Sequence, residues 1–178
     1  AVSATPHGLP GKVPNVAARV DMRNVSLTWS PPGDLAGGAL RHYSVYIWSD
    51  AVEKTILANL TGLNHTIRPL AVGGWYFCVA AVTEYGAGQS SDELHVVIVN
   101  LPPAARFSTI AIEGDVNTTF EYTSASVDPD GTIVMLAWDF GDGSSASGPK
   151  VTHKYNEVGK FTTTLIATDN DASSNSYS

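Results

Sequence analysis

Two short acidic stretches carry the residue types best suited to chemistry in this chain. Asp128-Pro129-Asp130-Gly131 sets two carboxylates two residues apart, and Asp169-Asn170-Asp171 repeats that spacing further along. Paired carboxylates serve either proton transfer or a hard cation; Ca²⁺ takes about six to eight oxygens from Asp, Asn and backbone carbonyls. The acid–base reading is the weaker, because Asp-Pro-Asp-Gly is a turn former whose acids cap amides. A third acidic stretch, Trp138-Asp139-Phe140-Gly141-Asp142-Gly143, reads as a strand entering a tight turn. Glycine supplies the positive-φ positions there, and Asp139 and Asp142 accept hydrogen bonds from the turn's own amides.

Other catalytic constellations do not form. The histidines, His7, His42, His65, His95 and His153, have no zinc-type spacing. No nucleophile-elbow, dinucleotide or phosphate-loop motif occurs. Cys78, the single cysteine, has no basic or helix-start context to activate it as a nucleophile, and no intrachain disulfide is available to it. Outward aromatics in the first half, Tyr46, Trp48, Tyr76 and Tyr85, form a candidate sugar platform; the competing reading is cross-strand support.

The net charge of −7 disfavours general nucleic-acid binding, which needs a basic face. Acids concentrate in the second half, mostly as Asp near Gly. No run of about 18 apolar residues exists to span a membrane. The first residues have no basic and apolar leader pattern, so the chain is expected to be a mature form or an excerpt. Four Asn-x-Ser/Thr triplets begin at Asn24, Asn59, Asn64 and Asn117 and are candidate glycosylation sites.

The elements that must position these residues are strands. Turn signals recur every 8–12 residues or so between short alternating runs, which predicts an all-β sandwich architecture. In the first half, strands are expected at 16–20, 24–30, 43–48, 54–60, 64–68, 75–83 and 93–99. Trp75, Phe77, Val79 and Ala81 should point into the core, with Cys78 on the opposite face. Pro31-Pro32 must end the second strand, since proline cannot donate to a ladder. In the second half, strands are expected at 106–112, 118–124, 131–140, 151–155 and 160–168. The predicted organisation is an N-terminal extended segment (1–13), a first sandwich (14–100), a Pro-Pro linker (101–103) and a second sandwich (104–178).

The second half, from about Asn100, resembles a PKD domain through Asp128-Pro129-Asp130-Gly131, the Trp138–Gly143 motif and Val158-Gly159-Lys160-Phe161. The first half, from about Pro14 to Asn100, resembles a fibronectin type III domain. Trp29, Tyr43, Tyr46, Leu70, the 75–82 strand and Thr83-Glu84-Tyr85-Gly86 carry that likeness. The expected fold is therefore two tandem immunoglobulin-like β-sandwiches. At the family's corner tyrosine this chain has Trp75, with Tyr76 beside it. Either the register is off by one, or an indole replaces the phenol hydrogen bond. The PKD resemblance also implies a final strand after Asp169–Asp171. The polar tail Ser173–Tyr177 shows no apolar alternation, so that strand looks absent. An excerpted chain, a weak strand from the tail itself, or a strand donated by a neighbour would each explain it.

Some PKD domains of secreted collagenases bind Ca²⁺ through the Asp-x-Asp-Gly loop and an Asn at the domain start, which here implies Asn100, Asp128 and Asp130. The resemblances imply a non-enzymatic segment of a secreted or cell-surface protein. Its partners would be other domains or subunits of a surface assembly, or glycans. Accessory domains of a secreted glycoside hydrolase or peptidase are the alternative, and a filament subunit using strand complementation is a third.

Overall fold

The computed structural model describes residues 7–178. Those residues are all β, without a helix, and divide into two compact units, Ala1–Val99 and Asn100–Ser178.

The first unit is a sandwich of two antiparallel sheets. One contains β1 (Ala17–Asp21), β2 (Asn24–Thr28) and β5 (Asn64–Ile67), in the order β1-β2-β5. The other contains β3 (Leu40–Trp48), β4 (Thr55–Leu60), β6 (Gly73–Thr83), β7 (Gly86–Ala87) and β8 (Leu94–Ile98). Here β3 lies between β4 and β6, while β7 and β8 both pair with β6. Alternation accounts for β2: Val25, Leu27 and Trp29 are buried, and Ser26 and Thr28 are not. Phe77, Val79 and Ala81 enter the core as their spacing requires, whereas Trp75 is only half-buried. Cys78 faces away from these residues yet is also buried. Val13 already belongs to the core, and Gly8 and Gly11 donate backbone hydrogen bonds to Ala36 and Asp34, so residues 8–13 strap onto the sandwich, while residues 1–6 of the expected extended segment lie outside the described residues.

The second unit is also a two-sheet sandwich. β13 (Lys150–His153), β10 (Phe120–Ser124) and β9 (Phe107–Thr109) form one sheet in that order. β12 (Ser145–Ser147), β11 (Ile133–Asp139), β14 (Thr164–Asp169) and β15 (Ser174–Tyr177) form the other. Between them lies an aromatic core of Phe120, Tyr122, Trp138, Phe140 and Tyr155 with Leu165. Trp138 anchors it: the indole is buried and donates Nε1–H to the Gly148 carbonyl at 2.9 Å. Leu101–Pro103, expected as a connector, falls within this unit, where Leu101 N donates to Asp130.

Three differences from the sequence pattern have physical causes. The closing strand is not missing: the polar tail forms β15, antiparallel to β14, with Leu165 opposite Tyr177 and Thr168 opposite Ser174. An edge strand is held by backbone hydrogen bonds and cross-strand pairs and needs no apolar outer face. Thr168–Ser174 and Thr164–Ser178 hydroxyl pairs, at 2.8 and 2.9 Å, and the Tyr177 ring against Phe107 supply the contacts. The slot imagined for a neighbour's strand is thus taken along β14 by the chain itself. β9 stops at Thr109, where the Thr109 hydroxyl donates to the Ala111 carbonyl and turns the chain. β14 begins only at Thr164, because Phe161 packs face to face on Tyr155 at 4.2 Å in an irregular stretch before it.

Candidate functional site

The two acidic loops of the second unit meet. Asp128 and Asp130 lie in the connection from β10 to β11, and Asp169 to Asp171 in the hairpin from β14 to β15. Asn170 clasps the loops: its Oδ1 accepts from Thr132 N at 2.7 Å, and its own N–H donates to the Thr132 carbonyl at 3.0 Å. Gly131 lets them close. A methyl group there would lie 2.7 Å from Asp128 Oδ2 and would also collide with Asn170 Oδ1. Asp169 is buried. Its Oδ1 accepts from Asp171 N and Ser173 N at 2.9 and 2.8 Å, and its Oδ2 from Asn100 Nδ2 at 2.7 Å.

The predicted set Asn100, Asp128 and Asp130 is therefore gathered at one end of this unit, and Asp169 and Asn170 join it. The fit to a hard cation is divided. Asp128 Oδ2 is buried without a hydrogen-bond donor, as an oxygen reserved for a ligand would be. Asp130, in contrast, spends its carboxylate on Leu101 N, and Asn100 presents its NH₂ to Asp169. Among the described residues, no group of three or more His, Cys, Asp or Glu side chains is arranged to hold a metal ion.

A second cluster was not legible as such. Asp142, in the turn between β11 and β12, meets His153 at the end of β13, so the contact ties one sheet of the unit to the other. His153 Nε2 lies 2.7 Å from Asp142 Oδ2 and 3.4 Å from Ser144 Oγ. The imidazole stacks on Phe140 at 4.2 Å and meets the Tyr155 ring edge-on. Ser144, through its hydroxyl and its amide, and then His153 hold the Asp142 carboxyl down at about 2. Serine, histidine and aspartate together invite a catalytic reading, but the wiring opposes it. A triad needs the acid on Nδ1 and the serine on Nε2. Here acid and serine share Nε2, and the Ser144 hydroxyl donates to Asp142. The arrangement is a turn lock, which agrees with the architectural role expected of Asp139 and Asp142: Asp139 accepts from Gly141 N and Asp142 from Ser144 N, both at 2.9 Å. Gly141 and Gly143 take the positive φ that their spacing implied, 78° and 87°. Behind this lock Tyr155 donates to the Phe140 carbonyl at 3.0 Å, and burial pushes its phenol up to about 12.

The aromatics of the first unit support one another across strands, the competing reading of these rings. Trp48, Tyr76 and His95 stack on one another across β3, β6 and β8, with centroids 5.7 and 4.6 Å apart. Tyr85 stacks on His7 at 4.5 Å. Of the Asn-x-Ser/Thr asparagines, Asn59, Asn64 and Asn117 are exposed and Asn24 is half-buried.

Comparison with known proteins follows the same division. Residues 100–178 match the family model described as PKD domain. The second unit is a PKD domain. Collagenase ColA of Clostridium perfringens is 38% identical over 94 residues, 51% of this chain and 8% of that protein. A microbial collagenase of Vibrio alginolyticus is 27% identical over 131 residues, 71% of this chain and 16% of its own length. That stretch is longer than the PKD domain, so the likeness reaches into the first unit. The crystal structure of the PKD1 domain of Vibrio anguillarum Epp shares 30% identity at a TM-score of 0.40, covering 44% of this chain and 89% of that one. The chain thus spans a small fraction of the collagenases it matches.

Proposed function

We propose that this chain is a non-catalytic segment of a secreted protease of the collagenase kind, holding polypeptide substrate near a catalytic domain elsewhere. The supporting observation is the similarity to two collagenases, one of them extending over both units. The same relatives support an extracellular location. The reading as a structural segment of a cell-surface protein is compatible with the same fold, and the relatives lend their weight to the accessory role. For the first unit we propose the fibronectin type III type: strand order β1-β2-β5 against β4-β3-β6 with β7 and β8 supports it. The hydrogen bond from Trp75 Nε1 to the Ala71 carbonyl supports it as well, standing where a corner tyrosine would bond backward.

The cation reading belongs to this proposal. Asp128 would be the leading ligand, with Asn170, Asp130 and Asn100 as neighbouring oxygen donors, and a bound Ca²⁺ would supply charge neutralisation to the acidic loops. Cosedimentation with insoluble collagen fibrils tests the main proposal. Retention of the chain above an albumin control, without peptide release, is expected; recovery in the supernatant at control level would remove the substrate-holding role.

A further inference from the structure

On the outer face of the larger sheet in the first unit, a row of aromatic rings ends beside the chain's own Lys54. β4 and β6 flank β3 on opposite sides. Tyr76, from β6, covers one face of the Trp48 indole. Lys54, just before β4 and so on the other side of β3, sets its Nζ 4.2 Å from the Trp48 centroid and 5.6 Å from that of Tyr46. The ring row therefore ends at Trp48, with an alkylammonium beside it. Aromatic faces attract ammonium and guanidinium groups through the ring quadrupole.

Three further features define what else fits. The hairpin between β3 and β4 places exposed Asp50 and Glu53 at this end of the row, complementary to positive charge. Ile56, opposite Tyr46 in β4, is 52% exposed, and Val97, two residues from His95 on the same side of β8, is 53% exposed. A row of rings with a cationic centre and an aliphatic position at one end, and a second aliphatic position at the other, suits an extended chain whose side chains alternate. Lys54 is exposed and able to swing away.

We propose that this face docks an extended polypeptide segment bearing lysine or arginine between aliphatic residues, with Lys54 as the intramolecular stand-in that a partner cation displaces. The surface lies in the first unit and does not depend on the collagenase reading.

The test titrates the whole chain with a short peptide alternating valine with lysine and arginine, by calorimetry and by aromatic proton shifts. Lys54→Met keeps the aliphatic stem and removes the competing charge; it should bind at least about three-fold more tightly, the scale of an exposed cation–π contact. Trp48→Leu should bind more weakly by a similar factor, and Tyr46→Leu serves if that variant misfolds. Wild-type shifts should centre on Tyr46, Trp48 and Tyr76. Unchanged or weaker binding by Lys54→Met overturns the proposal. So does equal enhancement by Arg19→Met on the opposite sheet, which would show general charge attraction only. Collagen retention is a separate readout, so either proposal can fail alone.

Discussion

The indole of Trp75 donates Nε1–H to the carbonyl of Ala71, four residues upstream, at 2.9 Å. This bond pins the approach to β6, the longest strand of the first unit, to the loop that precedes it. It is the backward bond that the reading of an indole in place of the corner phenol calls for.

Replacing Trp75 by Phe keeps a ring but deletes the donor. The first unit should lose about 1 kcal/mol for the hydrogen bond. Chemical denaturation resolved into two transitions checks this: the first unit's transition should shift and that of the PKD domain should stay.

Acid should weaken the PKD domain through Asp142. Its carboxyl sits at about 2 when folded, against an ordinary 3.8, because Ser144 and His153 hydrogen-bond the ionised form. A depressed folded pKa adds stability that is fully present above the unfolded value and is lost as pH falls through the folded one. The melting temperature of this unit should therefore drop between about pH 4 and pH 2. Asp142→Asn should be less stable at neutral pH and flatter across that window; an identical acid profile in the variant would refute the assignment.

Gly131→Ala should damage the loop clasp. The added methyl meets Asp128 Oδ2 at 2.7 Å and Asn170 Oδ1 closer still, so one loop must move. Overpacking of this kind costs about 1–3 kcal/mol. Thermal melting reports the loss, and amide exchange at Thr132, whose N–H rests on Asn170, should accelerate with it.

Calcium at millimolar concentration should raise the melting temperature of the PKD domain, since a ligand that binds only the folded state stabilises it. Asp128→Asn should abolish the rise, because it alters the buried oxygen that lacks a donor. An unchanged melt in the native chain would eliminate the cation site.

Most strands were legible because their signals are local. Val25, Leu27 and Trp29 alternate with Ser26 and Thr28, and Pro31 stops them, so β2 could be read directly. The Trp138–Gly143 turn was equally readable, since positive φ at Gly141 and Gly143 is a demand that glycine meets at low cost. β15 was not legible: an edge strand of Ser, Asn and Tyr draws its order from the β14 backbone beside it, and no side-chain period records that.

The candidate site was half legible. Asn100, Asp128 and Asp130 could be named from motif spacing, but which atoms face which could not. Asn100 turns its NH₂ to Asp169, Asp130 spends its carboxylate on an amide, and Asp128 keeps one oxygen without a donor. The Asp142–His153 contact was hidden because its partners lie on different sheets, brought together only when the sandwich closes.

By itself, then, the sequence determined the all-β character, the two sandwiches and the turn glycines, because alternation and backbone sterics act between near neighbours. Tertiary structure alone decided that the tail closes a sheet and that Asp142 and His153 lock one sheet to the other. It alone decided that the outward aromatics stack on each other with Lys54 at their end. Each of these depends on how strands pair and sheets pack, which no local side-chain period records.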